Sequence, residues 1–221
     1  LLVVSAVILT GFCMMFRRPI LFAFGASEAS YIYADEYLKI YLWGTVFSMA
    51  ATGMNGYINA QGFPKVGMFS TIIGAVINII LDPIFIFRLD MGVSGAALAT
   101  IISQACSAVW VLRFLIGKDA VVPLKRQNIR IKKETTLDIF KLGTANFIMQ
   151  GTNCLVQIVC NSTLQSYGGD IYVGIMTVAN SIREIFMLPI SGLISGAQPV
   201  ISFNYGAKQY KRVKDGIKFN T

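Results

Sequence analysis

Histidine is missing from all 221 residues. With it go the commonest general base, the Ser-His and Cys-His nucleophile pairs and the commonest nitrogen ligand for metals. The four cysteines, Cys13, Cys106, Cys154 and Cys160, lie in apolar runs and form no CxxC pair, which argues against a metal cluster or a disulfide framework. They read as small hydrophobes. Neither GxSxG nor GxxxxGK[ST] occurs, so no acyl-transfer elbow and no nucleotide-binding loop is expected. An enzyme, a resident cofactor and an ATP-driven pump are all unexpected. Charge is scarce too: Asp, Glu, Lys and Arg make up 14% of the chain, against about 25% in soluble domains.

Apolar residues fill the space. They make up 55% of the chain, with a mean hydropathy of +0.62. A bilayer crossing needs about 20 apolar residues, and runs of that order lie at roughly 1–24, 38–61, 66–88, 92–116, 139–164 and 171–195. The expected fold is an all-α membrane protein, a polytopic helical bundle with the lipid bilayer as its first partner. Three links, "QGFPK", "LDMGVSG" and "SYGGD", are short and carry turn signals, so they join antiparallel neighbours. The remaining links are "GASEASYIYADEY" and the polar "GKDAVVPLKRQNIRIKKETTLD". The latter divides the chain into four helices over 1–116, a basic linker over 117–138, and two helices with a basic tail over 139–221. Position 1 is Leu, and "LLVVSAVILTGFCMMF" reads as mid-helix with no charged stretch before it, so a fragment is expected.

Lysine and arginine set the expected orientation. Lys65, the linker's Lys118, Lys125, Arg126, Arg130, Lys132 and Lys133, and the tail's Lys208, Lys211, Arg212, Lys214 and Lys218 share one side. The excess of positive charge places that side in the cytoplasm. The net charge of +8 then calls for no nucleic acid, since the linker lacks the aromatic or glycine interleaving of such a surface; anionic headgroups suffice.

Polar residues inside the spans are the candidate functional groups. In "NIILDP", Asn78 and Asp82 are four apart and share a helix face. Pro83 removes a backbone donor beside them and favours a kink. Burial at membrane depth disfavours the ionised form of a carboxylate, so Asp82 is a candidate carrier of a proton, or else a structural Asp that caps a broken helix or pairs with a neighbouring one. Asn146, Gln150, Asn153, Gln157 and Asn161 fall within an arc of about 80°. That stripe faces either a wet substrate cavity or another helix, because carboxamides also join membrane helices. Asn55, with Ser48, Thr52 and Asn59, repeats the theme in the second span, and Asn180 and Glu184, beside Arg183, in the sixth. Gly92, Ala96, Ala99 and Ser103 form a small-residue stripe suited to close packing, with Thr100 beside it. Tyr31, Tyr33, Tyr37, Tyr41 and Trp43 suit an interfacial belt.

Four motifs carry a resemblance: QGxPK at Gln61–Lys65, NxxxDPxFIF at Asn78–Phe87, GVxGAAxATxxSQ at Gly92–Gln104 and QPxxxFNYGAK at Gln198–Lys208. Through them the chain resembles the multidrug and toxic compound extrusion (MATE) family, closest to its bacterial DinF-like and MepA-like branch. The resemblance implies a twelve-helix, two-lobe fold in a bacterial plasma membrane, of which this chain would hold spans three to eight. It implies secondary active efflux of small, mostly cationic drugs in exchange for protons or sodium ions, by alternating access. It also implies that Asn78, Asp82 and Thr100 form the cation-coupling site. Gln150 stands in the span where some branches carry a sodium-binding carboxylate, which tilts the expectation towards protons. A lipid-linked saccharide flippase of the same superfamily and a non-transporting membrane scaffold are the rival readings.

Overall fold

The computed structural model describes residues 2–125 and 133–220, with the side chains of 219 and 220 outside that description. The linker's Arg126, Arg130 and Lys132 lie outside the described residues. Helices follow one another along the chain, and no strand occurs among the described residues. The fold class is therefore the expected helical one, but several helix boundaries differ from the sequence reading.

The first expected span, 1–24, is two helices, α1 (Leu2–Met15) and α2 (Arg17–Ala23), bent by 81° at Phe16. Pro19 gives the physical reason. In a continuous helix its ring would clash with the carbonyl of Met15, whereas in the first turn of a new helix its missing N–H costs nothing. Arg17 holds the bend, donating from Nε to the Met14 carbonyl at 3.2 Å and pairing with Asp35 at 3.2 Å.

The stretch read as a connection, "GASEASYIYADEY", is mostly helix: α3 covers Glu28–Trp43. Ser27 starts it ten residues before the expected boundary. Its hydroxyl accepts from the Ser30 N–H at 3.1 Å while Ser30 Oγ accepts from the Ser27 N–H at 2.9 Å. This reciprocal cap satisfies two orphan donors, and Glu28 complements the positive end of the helix. Only Gly44 separates α3 from α4 (Thr45–Ala60). The residues expected as an outer belt divide: Tyr33 and Trp43 are exposed, whereas Tyr31 stacks on Phe22 and Tyr41 accepts from Gln104 Nε2 at 3.3 Å.

The turn "QGFPK" behaves as read. Gly62 takes φ +88, and Pro64 opens α5 (Pro64–Pro83) at the position where its fixed φ is preorganised. Gln61 also reaches across, its Oε1 accepting from the Val122 N–H at 3.0 Å, so the start of the linker is fastened to this hairpin. After Pro83 the helix widens into a π-turn over Ile84–Arg88. Pro83 leaves the Ile79 carbonyl without its helical donor, and the next turn closes one residue late, from the Leu89 N–H to the Ile84 carbonyl at 2.9 Å.

Helix α6 (Gly92–Ile116) has the bounds expected from sequence and packs against α3, α4 and α5. Its buried positions are mostly small, among them Gly95, Ala97, Ala99, Ser103, Ser107 and Ala108. Gly92, expected in that stripe, is exposed, and Ala96 half-buried. At the linker end Ile58, Val111 and Leu115 form an apolar core with Phe63 and Phe114, whose rings meet edge-on at 5.2 Å. The fifth and sixth expected spans are longer than read. They are the two arms, 133–168 and 170–206, of α7 (Lys133–Gly206), interrupted at Gly169 with φ 65 and ψ −163. A short basic helix, α8 (Tyr210–Asn220), follows.

Close approach sets a test. A Cβ on Gly95 would lie 2.8 Å from the Phe85 backbone, whereas one on Gly56 meets nothing within 4 Å. In the full-length protein in detergent, Gly95→Val is expected to lower thermal stability by about 1–3 kcal/mol through overpacking, and Gly56→Ala to leave it unchanged or slightly raised.

Candidate functional site: a polar cavity inside the first bundle

Three helices of an apolar bundle turn polar positions towards one another. On α4, Thr52 and Asn55 stand a turn apart; on α5, Ser70, Gly74 and Asn78 recur every four residues; on α6, Thr100, Gln104 and Ser107 follow at intervals of four and three. These residues line one cavity of about 430 Å³.

Its wall is knit by hydrogen bonds. Asn55 Nδ2 donates to the Gly67 carbonyl and to Ser70 Oγ, both at 3.1 Å, and Ser70 Oγ donates to the same carbonyl at 2.7 Å. Ser107 Oγ donates to the Ser70 carbonyl at 2.8 Å, tying α6 to α5. Gly67 and Gly74 let this happen: a Cβ on Gly67 would collide with the Asn55 and Asn59 amide oxygens, and one on Gly74 with Ser107 Oγ. Thr100 Oγ1 donates to the Ala96 carbonyl at 2.9 Å.

The cavity's unused capacity is for accepting. Asn55 Oδ1 and Gln104 Oε1 are buried and make no hydrogen bond. Asp82 is half-buried one turn beyond Asn78, and Asn78 Nδ2 donates to its Oδ1 at 3.1 Å. Asp82 is not itself a lining residue; it meets the cavity through Asn78. Amide oxygens with no donor of their own suit a cation or a hydrogen-bond donor, not an anion.

The residues singled out from sequence separate into two groups. Asn78, Thr100 and Asn55 line this cavity, and Asp82 meets it through Asn78. On α7, Asn146, Gln150, Asn153, Gln157 and Glu184 are exposed and Asn161 and Asn180 half-buried; the cavity includes none of them. Asn153 Nδ2 donates to Gln150 Oε1 at 3.3 Å, a bond within the stripe. Sequence reasoning missed Ser70, Gln104 and Ser107. Their four-residue spacing from Gly74, Thr100 and Ser103 was the available signal, but small hydroxyls in a packing stripe read first as spacers.

The model of the MatE family matches residues 1–84 and 146–218. The chain belongs to the MatE family. Among curated relatives, the multidrug export protein MepA of Staphylococcus aureus (strain NCTC 8325 / PS 47) is 30% identical over 194 residues, 88% of this chain and 43% of that protein. This chain thus spans less than half the length of the curated relatives it matches. An outward-facing multidrug resistance MATE family transporter of the MOP superfamily superimposes with a TM-score of 0.86 at 24% identity, covering 99% of this chain and 49% of that one. An inward-facing MATE transporter gives 0.80 at 24% identity, covering 99% and 50%. The fold is thus a MATE fold, and the relatives are membrane transporters.

The two groups of amides predict different responses. In the full-length MatE protein, Asn55→Ala removes two hydrogen bonds from the cavity wall and is expected to lower stability by about 1–3 kcal/mol. Asn153→Ala breaks only the bond to Gln150 within its own helix and is expected to change it by less than about 0.5 kcal/mol. Thermal melting of the two variants side by side checks this.

Proposed function

We propose that this chain is part of a secondary active multidrug exporter, in which Asp82 couples the movement of a proton or sodium ion to the movement of drug. The observation that carries this reading is the Asn78–Asp82 hydrogen bond at the wall of a polar cavity in an otherwise apolar bundle. A carboxylate so placed changes its interactions when it gains a proton or cation, and the helices around it repack in response. Asn78 and Thr100 complete the coupling site, one by donating to the carboxylate and the other from the opposite cavity wall. The fold occurs in both inward- and outward-facing MATE transporters, which supports alternating access.

The rest of the assignment follows the same reading. Residues 1–116 supply the last four helices of an amino-terminal lobe, 117–138 a cytoplasmic linker and 139–221 the first two helices of the second lobe with a cytoplasmic basic segment. Asn146, Gln150, Asn153, Gln157, Asn161 and Asn180, with Glu184, would face substrate across the lobes in the plasma membrane. Cationic drugs are favoured over the anionic lipid-linked saccharides of a flippase, because the buried amide oxygens of Asn55 and Gln104 accept and do not donate. A scaffold role has no comparable support.

The test uses the full-length protein in proteoliposomes. Asp82→Asn is expected to lower drug transport driven by an imposed cation gradient about 5- to 150-fold, the usual range of coupling between sites. Proton and sodium gradients applied separately identify the ion. Unchanged transport by Asp82→Asn would remove Asp82 from the mechanism.

A further inference from the structure

At the end of the molecule away from the linker, the first bundle touches α7. Glu36, midway along α3, accepts from Ser94 Oγ at the start of α6 at 2.6 Å, and Tyr41, later in α3, accepts from Gln104, later in α6, so α3 begins at the end of α6 opposite Ile116 and the linker. There Ser27 Oγ donates to Asp170 Oδ2 at 2.8 Å, immediately after the Gly169 break. Gly25 is buried at φ +92, and a Cβ on it would stand 3.1 Å from the backbone of Asn161.

Ser27 is already occupied by its cap, and that makes the contact specific. A hydroxyl has one proton and two lone pairs. One lone pair takes the Ser30 N–H of the α3 cap, and the proton goes to Asp170. The same atom therefore begins α3 and ties it to the other half of the chain, and Gly25 lets the backbones come close enough for it to reach.

We infer that Ser27 and Asp170 form a latch that holds the two halves together at the end opposite the linker and favours the conformation in which the halves touch there. This deepens the exporter reading and rests on it: an alternating exchanger must open at that end, and the latch is a bond that opening breaks. An interaction biases the equilibrium only if one state makes it and the other does not.

The experiment separates the latch from the cap. In Ser27→Asp the new carboxylate still caps α3 but has no proton to donate and repels Asp170. In S27D/D170N an amide donor faces the carboxylate, restoring the bond with its polarity reversed. Spin labels on Ile32→Cys and Ile171→Cys, both exposed positions, report the separation of the halves in the purified full-length protein with its native cysteines replaced. Ser27→Asp is expected to raise the population at long distance about fivefold, and S27D/D170N to return it to the parent value. An unchanged distribution in Ser27→Asp, or one that the double variant does not restore, overturns the latch. Transport is measured on the same preparations; a parent protein that moves no drug counts against the exporter, while the distances still decide the latch.

Discussion

Along α6 the side chains at Gly95, Ala97, Ala99, Ser103, Ser107 and Ala108 are no larger than serine, and all are buried. Lipid tails are as apolar as leucine, so membrane helices gain little from hiding apolar surface from one another and associate through close packing and hydrogen bonds. The narrow face of α6 lets α3, α4 and α5 gather round it. Gly44 and Gly95 mark how near they come: a Cβ on Gly44 would lie 2.5 Å from Ile101, and one on Gly95 meets the backbone of the π-turn at Phe85. The polar cavity depends on this arrangement, because its three walls are the flanks of helices held at those distances.

Much of this was legible in the sequence, and particular residues explain why the rest was not. The bounds of α6 followed from a largely apolar run between Gly92 and Gly117. Pro83 announced a disturbed helix beside Asp82, although a proline does not say whether the helix bends or takes in an extra residue. Pro19 was passed over inside an apolar run, so α1 and α2 were read as one. The α3 start was hidden because Glu28, Asp35 and Glu36 look like loop residues, while the Ser27–Ser30 cap that makes a helix of them is a local detail that hydropathy averages away.

For the candidate site, four-residue spacing placed Asn78 beside Asp82 correctly, since both lie on one helix and the bond between them is local. Thr100 and Asn55 line the same cavity as Asn78 through the packing of separate helices, which periodicity alone does not reveal. The α7 amides show the limit of periodicity: it puts five carboxamides on one face but does not say what lies opposite that face.

The π-turn after Pro83 holds one residue more than an α-helical turn would. Each residue of an α-helix advances the side chains by about 100°, so this single insertion sets the phase between the two ends of the segment. Within it, Phe85 lies with its backbone against Gly95; before it lie Asn78 and Asp82, and beyond it the chain enters α6 at Gly92. The compass bearing of the carboxylate is thus written into the length of the turn, and a helix of identical composition but one residue shorter would aim Asp82 at a different neighbour.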